Sequence, residues 1–428
     1  PTVDPDAYDL YLRAKVARQL LNPSRPLERF STVEALLSAA LARDPAFALA
    51  HAERVRVRIW MIEWNYDPSG ARRRSARDDI QAMRRLLPAN DPLVLAAEGS
   101  YWSEVEYDAE QALRSYAAAE ASGYSEPAFL QSKARLLLRM NRIDEAVRVI
   151  QQAAALDPGN AVLLNVSTLL HMAARRPLEA IRLSTLAIAA GAVALGRIYT
   201  RFAFTGQSGE LRAFLDGNSA LDTEYRIHLC FRMLLLERRF NELKQLLDGV
   251  TPESLRVGIS FVGVMLAGVG RRPVAELRGW TNLLLGDRTA AARDGGAVLD
   301  FVARAEQTPS SKWFLTLLAA EGHVFAGDGT QAIAAARAAV ASTPRSFDAV
   351  AFIEAAYVTA WVYAWSGAHD EAVELLEELA TSTPGLGPAF IIYDPLCSLP
   401  LADNARYQAL VLRLQAQVRD YEQQLSGL

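Results

Sequence analysis

Small and aliphatic residues recur along this chain on a single helical register. Ala112, Ala146 and Ala180 stand 34 residues apart, and Ala332 and Ala372 repeat the same local pattern. Between Pro127 and Pro158, Leu130, Ala134 and Leu137 mark one amphipathic helix; Ala146, Ile150 and Ala153 mark a second, with Asn141-Arg142 between them. The spacing predicts a helical hairpin. Two short helices cannot bury their apolar faces alone, so copies must stack to create a core. An alanine at the crossing lets two backbones approach closely, and Tyr116, Ile150 or Leu376, four residues later, fills the space beside it.

Punctuation supports the register. Pro158, Pro344 and Pro384 each lie twelve residues after a register alanine, where a residue without an amide proton ends the second helix. Gly206, Gly286, Gly327 and Gly367 each fall five residues before a register position, at the turn between helices, where glycine supplies positive φ. Weaker matches centred on Val33, Ile80, Leu211, Leu243 and Ala291 extend the array to roughly ten hairpins. From Ala291 to Ala332 to Ala372 the steps lengthen to 41 and 40 residues, which predicts longer first helices or loops and irregular curvature. The 34-residue unit is similar to the tetratricopeptide repeat. The expected fold is an all-α, right-handed superhelix of such hairpins, continuous through residues 1–190, an irregular stretch at 191–273, and 274–428 with a capping helix.

Composition agrees with an array. A chain of 428 residues that is 51% hydrophobic exceeds one ordinary core but suits stacked repeats. The formal charge of −4 supplies no global field toward nucleic acid or an anionic membrane. Lysine is confined to Lys15, Lys133, Lys244 and Lys312 while arginine is abundant, which suggests a bacterial genome of high GC content. Cys230 and Cys397 are far apart in apolar stretches and read as reduced core thiols rather than a disulfide or zinc ligands. The apolar run Val257–Val269 is broken by Ser260 and glycines and is too short to span a membrane, so a buried helix is expected. The chain opens on Pro1 with neither an initiator Met nor a signal-peptide pattern, as expected of a piece cut from a longer polypeptide.

Both ends carry recognisable runs. The start has Asp4-Pro5-Asp6-Ala7-Tyr8-Asp9-Leu10-Tyr11-Leu12-Arg13-Ala14 and then Ala40-Leu41-Ala42-Arg43-Asp44-Pro45-Ala46-Phe47-Ala48-Leu49-Ala50. The close has Asp394-Pro395-Leu396, Pro400-Leu401 and Asn404-Ala405-Arg406-Tyr407-Gln408-Ala409-Leu410. Together they resemble the bacterial tetratricopeptide regions that follow a TolB-like segment, a nucleotide-cyclase domain or a CadC-like winged helix. The resemblance implies the partner-binding, regulatory portion of a signalling or transcription protein. Such a portion is cytoplasmic, or the periplasmic sensor of a membrane-bound regulator. Two departures stand out: Cys397-Ser398-Leu399 replaces the usual aromatic or charged continuation, and Gly191 to Pro273 matches the repeat poorly.

Catalytic patterns are weak. His51, His171, His228, His323 and His369 are scattered without metal-ligand spacing, and His171 and His323 occupy equivalent first-helix positions, as packing residues would. Gly268-Val269-Gly270-Arg271-Arg272-Pro273 lacks the ending of a nucleotide loop and reads as an interhelix turn. Gly258 to Gly263 misses the nucleophile-elbow spacing around Ser260 by one residue and reads as a helix with small residues. The Arg72, Arg73, Arg74, Arg77, Arg84 and Arg85 patch reads as a solvated helix start, with an acidic-partner contact as the alternative. Neither an enzyme, a metal site nor a cofactor is expected.

Recognition is the expected function. First-helix residues build the inner face of such a superhelix. On that face the register places Tyr101, Gln131, Arg135, Arg139 and Asn165 toward the N-terminal half, able to hydrogen-bond a peptide backbone or carboxylate. Trp280, Phe314, Phe325, Tyr357, Trp361 and Trp365 follow toward the C-terminal half as aromatic anchors, although aromatics at helical spacing also build cores. The expected occupant is a protein or peptide segment of acidic or aromatic character, with neither nucleic acid nor a membrane span involved. Two rival readings are a small-molecule sensor or enzyme using the concave cavity, and an oligomerisation platform burying Leu and Trp faces between copies.

Overall fold

The computed structural model describes residues 4–19, 21, 25–218, 221–251, 253–256, 271–308 and 311–426. Among them ten helix pairs follow one another. These are α1 (Pro5–Arg18) with α2 (Leu27–Arg43), α3 (Ala48–Glu63) with α4 (Gly70–Leu86), α5 (Pro92–Glu104) with α6 (Ala109–Ala121), α7 (Pro127–Arg139) with α8 (Ile143–Leu156), and α9 (Ala161–Ala173) with α10 (Pro177–Ala189). The later pairs are α11 (Leu195–Thr205) with α12 (Gly209–Gly217), α13 (Thr223–Leu236) with α14 (Phe240–Asp248), α15 (Val274–Leu284) with α16 (Arg288–Arg304), α17 (Lys312–Ala326) with α18 (Gly329–Ser342), and α19 (Ala349–Trp365) with α20 (His369–Thr381). Helices α21 (Pro388–Tyr393), α22 (Pro395–Ser398) and α23 (Ala405–Leu425) follow.

The register residues Val33, Ile80, Ala112, Ala146, Ala180, Leu211, Leu243, Ala291, Ala332 and Ala372 fall one in each second helix, and all are buried. From the third pair onward, the residue five positions before the register always has positive φ: Tyr107, Asn141, Arg175, Gly206, Arg238, Gly286, Gly327 and Gly367. Half of these are not glycine, so the tight turn is imposed by packing of the pair as much as by local freedom. Asp108, Asp287 and Asp328 follow directly and cap the second helix, each accepting from a first-turn amide. The lengthened steps come from helices of 17 residues in α16 and α19 and 15 in α17, against 13 in α7 and α9.

The middle departs from a purely helical array. Helices α12 and α14 shrink to nine residues, and β1 (Ser254–Arg256) pairs antiparallel with β2 (Arg271–Pro273), placing Leu255 opposite Arg272. Arg271 to Pro273 is therefore strand rather than the interhelix turn expected there. The expected helix at Val257–Val269, including Gly258–Gly263 and Ser260, lies outside the described residues.

The superhelix closes on itself. Helix α19 meets α7, α21 and α23 meet α11, and α22 meets α19 and α15. Three arginines, half-buried Arg175 and buried Arg232 and Arg256, span the closure. Arg175 Nη1 donates to the Leu386 carbonyl at 2.7 Å, Arg232 Nη1 to Asp394 Oδ2 at 3.0 Å, and Arg256 Nη1 to the Trp64 carbonyl at 3.3 Å. A planar five-donor guanidinium suits this role because one side chain satisfies several acceptors. Asp394 of the closing Asp-Pro-Leu run also caps α22 through the Leu396 amide, and it accepts from Tyr357, whose oxygen accepts from Arg232. One hydrophobic core consequently runs from Ala96 to Val418, while the first hairpins keep a separate cluster from Ala7 to Trp64.

Candidate functional site

A cavity of about 370 Å³ is lined by the first, second, fourth and fifth pairs and their connections. Helix α3 and its end supply Trp60 and Trp64, α7 supplies Gln131, Arg135, Leu138 and Arg139, and α9 supplies Asn165, Val166 and Leu169. Arg25 contributes from the α1–α2 connection, and Val350 of α19 closes one wall. The i, i+4 spacing of Gln131 and Arg135, and of Trp60 and Trp64, puts each pair on one helical stripe. The two indoles stack with centroids 5.3 Å apart. The sequence expectation thus placed Gln131, Arg135, Arg139 and Asn165 on one surface, and the structure brings all four to the same cavity.

Their electrostatic states differ. Arg135 pairs with Glu63, which also accepts from Trp64 Nε1 at 2.9 Å. Burial, with Arg139 nearby, pushes the Arg135 pKa down to about 10. Arg139 is committed elsewhere: its Nε donates to Asp348 Oδ2 at 3.1 Å, its Nη1 to the Ser103 carbonyl at 2.9 Å, and its guanidinium lies 4.0 Å from the Tyr107 ring centroid. Burial raises the pKa of its other carboxylate neighbour, Glu104, against the opposing pull of Arg139. Arg139 therefore forms wall, while Arg25, Gln131 and Asn165 present side-chain donors for which no hydrogen bond is formed among the described residues.

The aromatic half of the expected groove is core. Trp280, Tyr357 and Trp361 are fully buried, and Phe314 and Phe325 are buried beside them. Trp280 packs edge-on to Phe325 and Trp361, and its Nε1 donates to Glu321 at 2.7 Å. Half-buried Trp365 donates to the Leu396 carbonyl at 3.0 Å. Closure by α19 and α22 folds this face inward, which removes it from any partner. Tyr101 is also buried, with its hydroxyl on Glu106 and the Arg77 guanidinium over its ring. All seven tryptophans are at least partly buried.

Other sequence signals resolve as structure. Arg72 binds Glu34 and Asp67, Arg73 the Val105 carbonyl, Arg77 Glu106 and Arg84 Glu98, so most of the arginine patch is occupied within the chain. His171 is buried with Nδ1 on the Ser167 carbonyl at 3.1 Å. Cys397 is buried and Cys230 partly so, both as free thiols. Among the described residues there is no group of three potential metal ligands, and no helix is long and apolar enough to cross a membrane. Sequence reasoning missed Trp60, Trp64 and Arg25. The indole pair carried a readable i, i+4 signal, whereas Arg25 in a loop carried none.

No protein-family model and no curated relative match the chain. Among solved structures it is similar to YrrB, described as a TPR protein with an unusual peptide-binding site, at 16% identity over 43% of this chain and 86% of that one, with a TM-score of 0.26. PilF of Pseudomonas aeruginosa is 13% identical over 64% and 98% of the two chains, with a TM-score of 0.30. A tetratricopeptide repeat protein of Parabacteroides merdae is 12% identical over 80% and 94%, also at 0.30. The helix pairs described above, rather than these superpositions, define the fold.

Proposed function

We propose that this chain is a non-catalytic recognition scaffold, the regulatory portion of a bacterial signalling or transcription-regulating protein, and that it receives a protein segment at the mouth of the α3–α7–α9 cavity. One observation carries the reading. Gln131, Arg135 and Asn165 from consecutive first helices converge with Arg25 and an indole pair on a single open cavity, while Trp280, Phe314, Phe325, Tyr357 and Trp361 are buried in the core. The terminal runs that resemble regulatory tetratricopeptide regions support the assignment to signalling. Neighbours of this repeat class include one whose description names a peptide-binding site.

A photo-cross-linker at position 131, compared with one at exposed Arg148 on α8, tests it in lysate of the source bacterium. A protein adduct formed from position 131 and absent from position 148 supports the reading; equal labelling from both, or none from 131, overturns it. A second reading, a small-molecule sensor, is favoured by the cavity itself, whose volume lies within the range of about 300–1,000 Å³ typical of small-ligand sites.

A further inference from the structure

The cavity wall carries one guanidinium, Arg25, that no fixed carboxylate answers among the described residues. Glu63 answers Arg135, and Glu104 with Asp348 answers Arg139. The Arg25 guanidinium has no carboxylate partner among the described residues, and its buried Nε has no acceptor. Asp157, the single carboxylate on the wall among the described residues, is exposed and already accepts from Asn160 Nδ2 at 2.8 Å. Arg25 thus lines the cavity with a charge that no fixed carboxylate among the described residues answers, and a charged group left without a partner favours an occupant that brings an acceptor. Trp60, Leu138, Val166, Leu169 and Val350 offer apolar surface to an occupant's body, beside the polar Gln19 and Asn160.

We propose that the cavity binds a small amphipathic organic acid, its anionic head taken by Arg25 and Arg135 with Gln131 and Asn165 beside it, and its apolar body laid against Trp60, Leu138, Val166 and Leu169. This takes up the sensor reading and rests on the cavity being the recognition site. Charge-assisted bonds from guanidinium to carboxylate supply the selectivity, and the apolar part of the wall supplies area-dependent affinity.

Calorimetric titration of the full chain with decanoate, decylammonium and decanol tests it, since the three probes share a body and differ in the head. Decanoate should bind, with the alcohol and the ammonium each at least about tenfold weaker, which is the effect of roughly 1.4 kcal/mol lost at the head. Arg25→Gln should weaken decanoate by a similar factor. That variant is preferred to Arg135→Gln, which would strand the buried Glu63 and compromise folding. Val166→Trp, checked for unchanged melting temperature, should abolish binding by filling the space. Equal binding of decanol and decanoate, or full decanoate affinity in Arg25→Gln, overturns the inference. If decanoate does not bind while position 131 still cross-links a protein, the ligand class is wrong and the scaffold reading stands. If both fail, the cavity is not the recognition site.

Discussion

Arg139 and Asp348 lie 209 residues apart in the chain, yet Nε and Oδ2 are 3.1 Å apart. The same aspartate caps α19, accepting from the Val350 and Ala351 amides at 3.0 Å each. One buried carboxylate thus starts a helix and ties that helix to α7. Asp348→Ala should cost about 3 kcal/mol, because it removes a cap and leaves the buried Arg139 guanidinium with Glu104 as its one carboxylate partner among the described residues. Asp348→Asn retains the cap and should cost less. Urea melts of both variants check this, and a loss below about 1 kcal/mol in Asp348→Ala would show that the closure is not held by this pair.

Trp361→Ala should destabilise the chain by about 3–5 kcal/mol, the cost of a large truncation in a packed core. Trp365→Ala, which removes a half-buried indole, should cost less. A groove role would predict the reverse signature, lost capture with normal stability. Thermal melts alongside the cross-linking assay separate the two.

His228 gives the chain an acid sensitivity. Burial, with Arg272 nearby, pushes its pKa down to about 4, and Nε2 lies 2.8 Å from the Arg256 carbonyl, so the native ring is neutral and donates there. The unfolded chain takes up this proton near pH 6.5, the native state only near 4. The neutral ring's contribution is therefore complete above about pH 6.5 and is lost as the pH falls toward 4, by up to about 3 kcal/mol. His228→Gln should show a shallower stability profile across that window. An unchanged slope would mean that other groups carry the acid response.

Ala146→Leu should destabilise by about 1–3 kcal/mol, since the register alanine is fully buried where α8 crosses its neighbours and extra methylenes have nowhere to go. The same change at exposed Ala118 of α6 should have little effect. Comparable losses at both sites would remove the crossing argument.

These residues also mark how far the sequence could be read. The register alanines and the turn glycines were legible because close helix crossings and positive φ each restrict residue choice. Tyr107, Arg175 and Arg238 hold the same turn without glycine, so their conformation left no trace in composition. Gln131, Arg135 and Asn165 were legible as inner-face residues from helical spacing alone. The fate of Trp280, Tyr357 and Trp361 was not, because an open groove and a closed core place aromatics at the same spacing. What separates them is a set of contacts such as Arg139 with Asp348 and Arg232 with Asp394, which join positions that no local pattern relates. The β1–β2 ribbon was equally hidden, its three-residue strands too short to show alternation.

The closure has a kinetic meaning. An open array of hairpins folds by adding each unit to its neighbour, with little loop to close at any step. Here α7 and α13 wait for Asp348 and Asp394, which are synthesised well over a hundred residues later. The chain leaving the ribosome therefore passes through a stage in which Arg139 and Arg232 lack these counter-ions and the inner face is still uncovered. Chaperone dependence and slow final consolidation should belong to that stage, and they set this protein apart from a solenoid that matures one repeat at a time.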